Sequence, residues 1–201
     1  VVTVSLLIAG GFVAGCASSS TLTLKSADDK RYVLPIGRGY FDQSEDGVID
    51  VVLVSNARPD DAGPLAATGA DLRHVMHVRL HWLPSRRVIG GADQTANATI
   101  DWCVLPDPDR PTVIYSGAGS ARFSPDGAQA TLSLFDIPVS AQGVQRDHAA
   151  LTRAVVGGQL VIQRSPSHVR ELLGQAAEAR TAALRQSPPP NGPPARSPMG
   201  P

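Results

Sequence analysis

The feature that most constrains this chain is a period-two alternation of apolar and polar residues, recurring in short runs along much of its length. Over residues 75–83, Met76, Val78, Leu80 and Trp82 fall on one side, and His77, Arg79 and His81 on the other. Successive side chains of a strand point to opposite faces, so this pattern predicts a strand with one buried and one wet face. Residues 99–105 repeat it, aligning Ile100, Trp102 and Val104. Shorter runs at 21–24, 32–34, 48–54, 112–115, 121–123 and 160–162 read as further strands. Ser124-Pro125-Asp126-Gly127 is a turn signal, and Leu132, Leu134 and Ile137 beyond it predict a hairpin. Strands this numerous, punctuated by Gly, Pro and Asp, predict a mainly β domain, an antiparallel β-sandwich or barrel, rather than alternating βαβ units.

One segment breaks the pattern. Ser165-Pro166 supplies a helix cap with proline at the first helical position. Val169, Leu172, Leu173, Ala176, Ala177 and Leu184 then recur on one stripe, opposite Arg170, Glu171, Glu178 and Arg185. This predicts an amphipathic C-terminal helix over residues 165–186, packed on the β body. Gly174 inside it costs up to about 1 kcal/mol relative to alanine, which that packing must offset. From residue 187 to 201, Pro188-Pro189-Pro190 and Pro193-Pro194 predict an extended, disordered tail.

At the other end, an uncharged apolar stretch with Leu6, Leu7, Ile8, Phe12 and Val13 runs into Val13-Ala14-Gly15-Cys16. It is shorter than the roughly 20 apolar residues of a spanning helix. It also lacks the basic start of a secretory signal, so Val1 reads as an unusual start codon or a truncation point. The Val13–Cys16 quartet resembles the lipobox of bacterial lipoproteins. That resemblance implies that residues 1–15 are a signal peptide, that Cys16 is acylated, and that residues 16–20 tether a β domain at residues 21–164. Two or more acyl chains hold a protein stably on a bilayer. Ala17, rather than Asp, after the cysteine favours the outer over the inner membrane in the resembled family. With Cys16 acylated, Cys103 has no partner for an intramolecular disulfide.

The chemistry-bearing clusters are few. The loop at residues 42–50 resembles calcium loops of the EF-hand and dockerin families, with Asp42, Ser44 and Asp46 at the first, third and fifth places. Gly47 stands at the sixth place and Asp50 at the ninth. The resemblance implies calcium bound by Asp42, Ser44, Asp46 and Asp50. Leu53 occupies the twelfth place, where those families put a bidentate carboxylate, and Pro35, Gly37 and Gly39 leave no room for an entering helix. The other reading is a polar turn between two strands. His74, His77 and His81 have a helical zinc spacing, but in a strand His74 faces away from the others. His77 and His81 would then stand about 13 Å apart, too far for one metal. Cys103, between Trp102 and Val104, reads as a buried small hydrophobe. Gly117-Ala118-Gly119-Ser120 lacks the lysine of a phosphate loop and reads as a strand junction.

The 18 basic and 18 acidic residues balance, so charge recommends neither nucleic acid nor an anionic membrane as partner. No nucleophile-elbow serine and no His-Glu-x-x-His motif occurs. The expectation is a non-catalytic binding or assembly module, lipid-anchored in the bacterial envelope, that offers a sheet face or edge to a protein partner. The alternative is a calcium-dependent carbohydrate-binding or hydrolytic domain using loop 42–50, and a third reading is zinc acquisition through the three histidines.

Overall fold

The alternation is realised as strands that wrap around a single interior. The computed structural model describes residues 20–56, 73–81, 96–105, 112–142 and 151–186. Residues 1–19, where a signal peptide and an acylated Cys16 are expected, and the proline-rich stretch 187–201 lie outside the described residues, as does Trp82.

The strands in order are β1 (Ser20–Ser26), β2 (Arg31–Ile36), β3 (Arg38–Gln43), β4 (Ile49–Ser55), β5 (Arg73–Leu80), β6 (Ala98–Leu105), β7 (Val113–Asp126), β8 (Gln129–Ala141) and β9 (Arg153–Arg164). Helix α1 (Pro166–Gln186) follows. The antiparallel run β3-β4-β5-β6-β7-β8-β9 closes into a barrel, because β9 also pairs in parallel with β3 at Tyr40↔Gln163 and Phe41↔Arg164. The first half of β9 pairs instead with β1, which carries β2 as the outer strand of a hairpin. The fold is thus the barrel form of the expected mainly β domain, with one C-terminal helix.

Inward positions are mostly apolar, with His74 and Ser55 among the buried polar residues. Leu22, Leu34, Ile49, Val51, Met76, Val78, Ile100, Leu132, Val156 and Leu160 are all fully buried in one continuous cluster. Trp102 stacks on Tyr115 with ring centroids 4.6 Å apart, and Phe41 meets Phe123 edge-on at 5.1 Å. Exposed outward positions are mainly polar, the reverse of the alternation that a lipid-facing barrel needs. Helix α1 covers part of the outside: Val169 and Leu172 pack on Val52 and Val75, and Ala183 on Cys103 and Ile114.

Three local expectations need correcting. The first is β3, a strand that the alternation did not single out, although no helix enters loop 42–50, as Pro35, Gly37 and Gly39 implied. Gly39 is needed there, because a Cβ would stand 2.5 Å from Cγ2 of Ile162 on the neighbouring strand. The second is the glycine stretch 117–120, which is no junction but the middle of the long strand β7. A Cβ on Gly117 would come 2.0 Å from the backbone oxygen of Pro138, so only glycine lets β8 approach. The third is the turn predicted from Ser124 to Gly127. Pro125 and Asp126 still pair, with Ala130 and Gln129, so Gly127 at φ 60° opens a two-residue connection.

Strand β8 carries one residue more than β9 between Leu134 and Ile137, and one more than β7 between Phe135 and Val139. In this bulge Phe135 and Asp136 both face outward, and Asp136 adopts a left-handed φ of 47°. The extra residue keeps the inward alternation in phase on either side. Gly117→Ala is expected to lower stability by about 2 kcal/mol or more, because backbone rather than a side chain must move. Urea unfolding measures it, and an unchanged midpoint would contradict this account of β7.

Candidate functional site

The acidic loop closes as a turn. Asp42 and Asp50 face each other across β3 and β4, and Gly47 takes a left-handed φ of 84° between them. The Ser44 hydroxyl donates to the Asp46 carboxylate and reaches the Val48 carbonyl at 2.9 Å. The hydrogen bond from Ser44 holds the Asp46 carboxyl below the usual carboxylate range. Asp50 is engaged elsewhere: one carboxylate oxygen accepts from His77 Nε2 at 2.8 Å and from Arg79 Nε at 3.1 Å. The structure therefore brings Asp42 near Asp50 and Ser44 near Asp46, with each pair facing a different neighbour. Among the described residues, no group of three His, Cys, Asp or Glu side chains is arranged to hold a metal ion.

The three histidines separate as strand geometry requires. His77 and His81 stay on the polar side, with His81 Nε2 3.3 Å from the Thr99 hydroxyl. His74 points into the barrel and is buried. Trp102 Nε1–H donates to His74 Nδ1 at 3.2 Å, which assigns the ring proton to Nε2. Nε2 has no hydrogen-bond partner among the described residues. Burial depresses the His74 pKa from 6.5 to about 4. Cys103 lies beneath α1, where burial and then Asp101 push its thiol to about 11, the opposite of an activated nucleophile.

A belt of outward polar groups crosses the barrel below the helix. His77 stands opposite Asp101, and Asp101 opposite Ser116. The Ser116 hydroxyl donates to Asp101 at 2.6 Å, and Arg180 of α1 approaches the same carboxylate at 3.9 Å. Ser116 thus gives its proton to a carboxylate rather than to a histidine base, so the serine, aspartates and histidine of the belt do not assemble into a nucleophilic triad.

The wall that α1 leaves open has a different character. The described residues include three large hydrophobic side chains that are about half exposed: Val33 (51%), Phe135 (50%) and Val161 (48%), on β2, β8 and β9. Val33 pairs with Thr23, Thr23 with Gly157, and Gly157 lies opposite the Phe135–Asp136 bulge. This row therefore spans four strands with a floor of threonine and glycine and a hydrophobic side chain at each end. Sequence reasoning did not single out Phe135. The available signal was a phase slip, since Leu132, Leu134 and Ile137 are spaced two and then three apart. No protein-family model, curated protein or solved structure matches the chain.

Two outcomes follow for these groups. Above pH 6.5 His74 is neutral folded or unfolded and contributes nothing to the pH dependence. Between 6.5 and about 4 only the unfolded chain takes up its proton, so stability falls as pH falls, by about 3 kcal/mol in total. Urea unfolding at pH 7 and pH 4.5 should show this loss in the native protein and a smaller one in His74→Leu. Millimolar calcium is expected to leave the melting temperature unchanged, whereas a rise would mean that loop 42–50 opens to receive the ion.

Proposed function

We propose that this chain is a non-catalytic binding or assembly module of the bacterial cell envelope. Acylated Cys16 moors it to the membrane, outer rather than inner, and the helix-free wall faces a protein partner. The observation that carries the reading is Phe135, an aromatic side chain half exposed on a bulge whose next residue holds a left-handed backbone. Aspartate adopts left-handed backbone more readily than most non-glycine residues, yet still at a cost, and such positions cluster where a surface is put to use.

The rest of the wall supports the same role. Aromatic anchors dominate binding energy at protein interfaces, and a flat floor such as Thr23 and Gly157 lets a partner approach the backbone. The belt beneath the helix offers no activated nucleophile, and the interior is filled by Trp102, Tyr115 and their neighbours, so a surface reading fits the molecule better than an enclosed site. The outer edge of β2 is short and carries Pro35, whose missing N–H discourages simple strand addition, so the face rather than the edge is the presented surface.

Phe135→Ser is expected to weaken capture of a specific envelope partner at least about tenfold, while changing stability little because the ring is half exposed. Pull-down from detergent extracts with native and variant protein measures it, and equal recovery by both would count against the wall. Cys16→Ser is expected to move the protein out of the membrane fraction and to remove the acyl mass. If fractionation and mass stay the same, the anchor is wrong.

A further inference from the structure

A shallow hollow of about 520 Å³ lies on the same wall, just beyond the row that joins Val33 to Phe135. Three successive cross-strand rows build it. Lys25, Val155 and Pro138 form the row nearest Phe135, while Ser26, Ala154, Val139 and Gly117 form the floor. Arg153, Ser140 and Ser116 form the far row. The floor is low because its side chains are small or turned into the barrel, and because Gly117 lets β7 and β8 close together.

The charges at this hollow are unequal. Lys25 is held by Asp29 at 2.8 Å, and the neighbouring Asp28 is taken by Lys30 at 2.8 Å. Asp101, next beyond Ser116, is occupied by the Ser116 hydroxyl and lies 3.9 Å from Arg180. Arg153 is exposed and has no carboxylate partner among the described residues. The Ser140 hydroxyl accepts from Gln142 Nε2 at 3.2 Å, which leaves its own proton free to donate. A guanidinium and a hydroxyl donor thus stand side by side on adjacent strands, across a small-residue floor from the apolar surfaces of Val155 and Pro138.

We propose that this hollow docks an acidic, extended segment of the protein partner. A partner carboxylate takes the Arg153 guanidinium and the Ser140 hydroxyl, and an apolar side chain two residues along, on the same face of the segment, lies on Val155 and Pro138. An acidic and an apolar side chain two residues apart on one face of an extended segment match this geometry, and arginine is the side chain suited to binding a planar carboxylate through two N–H donors. The inference rests on the helix-free wall being the binding surface, and it adds the charge that the partner must carry.

The test uses the detergent-solubilised full chain and a fluorescein-labelled peptide repeating Glu-Ser-Val-Ser, which puts Glu and Val on one face when extended, followed by fluorescence polarisation. Expected are saturable binding, loss of about tenfold in affinity with R153Q, and weaker binding as salt is raised. Equal binding of the same peptide with Lys in place of Glu, an unchanged affinity in R153Q, or no saturable binding would overturn the proposal. Arg153 is exposed, so R153Q should fold normally, and a matching urea midpoint verifies that. Partner capture then separates the two readings. Capture lost in Phe135→Ser but kept in R153Q sinks the hollow and leaves the wall, whereas capture unaffected by either sinks both.

Discussion

Strand β9 is the constraint on which the rest of the molecule depends. One of its edges pairs with β8 along nearly its whole length, and the other is shared between β1 and β3. The parallel contact with β3 covers only two residue pairs, yet it turns an open sheet into a closed one. Closure gives the interior a fixed size, and Trp102 stacked on Tyr115 occupies much of it. A closed barrel also removes the exposed strand edges that an open sheet of the same strands would leave.

Closure has geometric consequences that appear as irregularities. A sheet that curves this sharply needs places where one strand gains a residue or two backbones come close. Here both occur together, at the β8 bulge and at Gly117 and Gly119 of β7. Phe135 and the hollow beside Arg153 flank this region, so the surface offered to a partner is shaped by the device that bends the wall. Helix α1 packs on β3, β4, β5, β6 and Ile114 of β7, borders the far row of the hollow through Arg180, and leaves the bulge bare.

Much of the fold was legible in the sequence, for a simple reason. Inward and outward positions alternate strictly along β5 and β6, so Met76, Val78, Ile100 and Trp102 announce their burial and His77 its place on the outer side. The stripe in α1 is equally plain. What escaped was set by contacts between distant segments: β3 goes unmarked until Ile162 is seen against Gly39, and the stretch 117–120 reads as a junction until Pro138 is seen beside it. The candidate site was hidden for the same reason. Val33, Thr23, Gly157 and Phe135 are scattered over more than a hundred residues, and only the register of four strands sets them in line. Local patterns did give a clear answer for His74, which the alternation turned inward.

The position of Cys103 bears on how the chain reaches its final state. Its thiol is shielded by a helix that follows every strand in the sequence, so during synthesis the sulfur stays accessible until that helix docks. In an oxidising compartment this interval is when mixed disulfides or crosslinked dimers can form. Any factor that hastens docking of the helix therefore also guards the protein against oxidative misassembly.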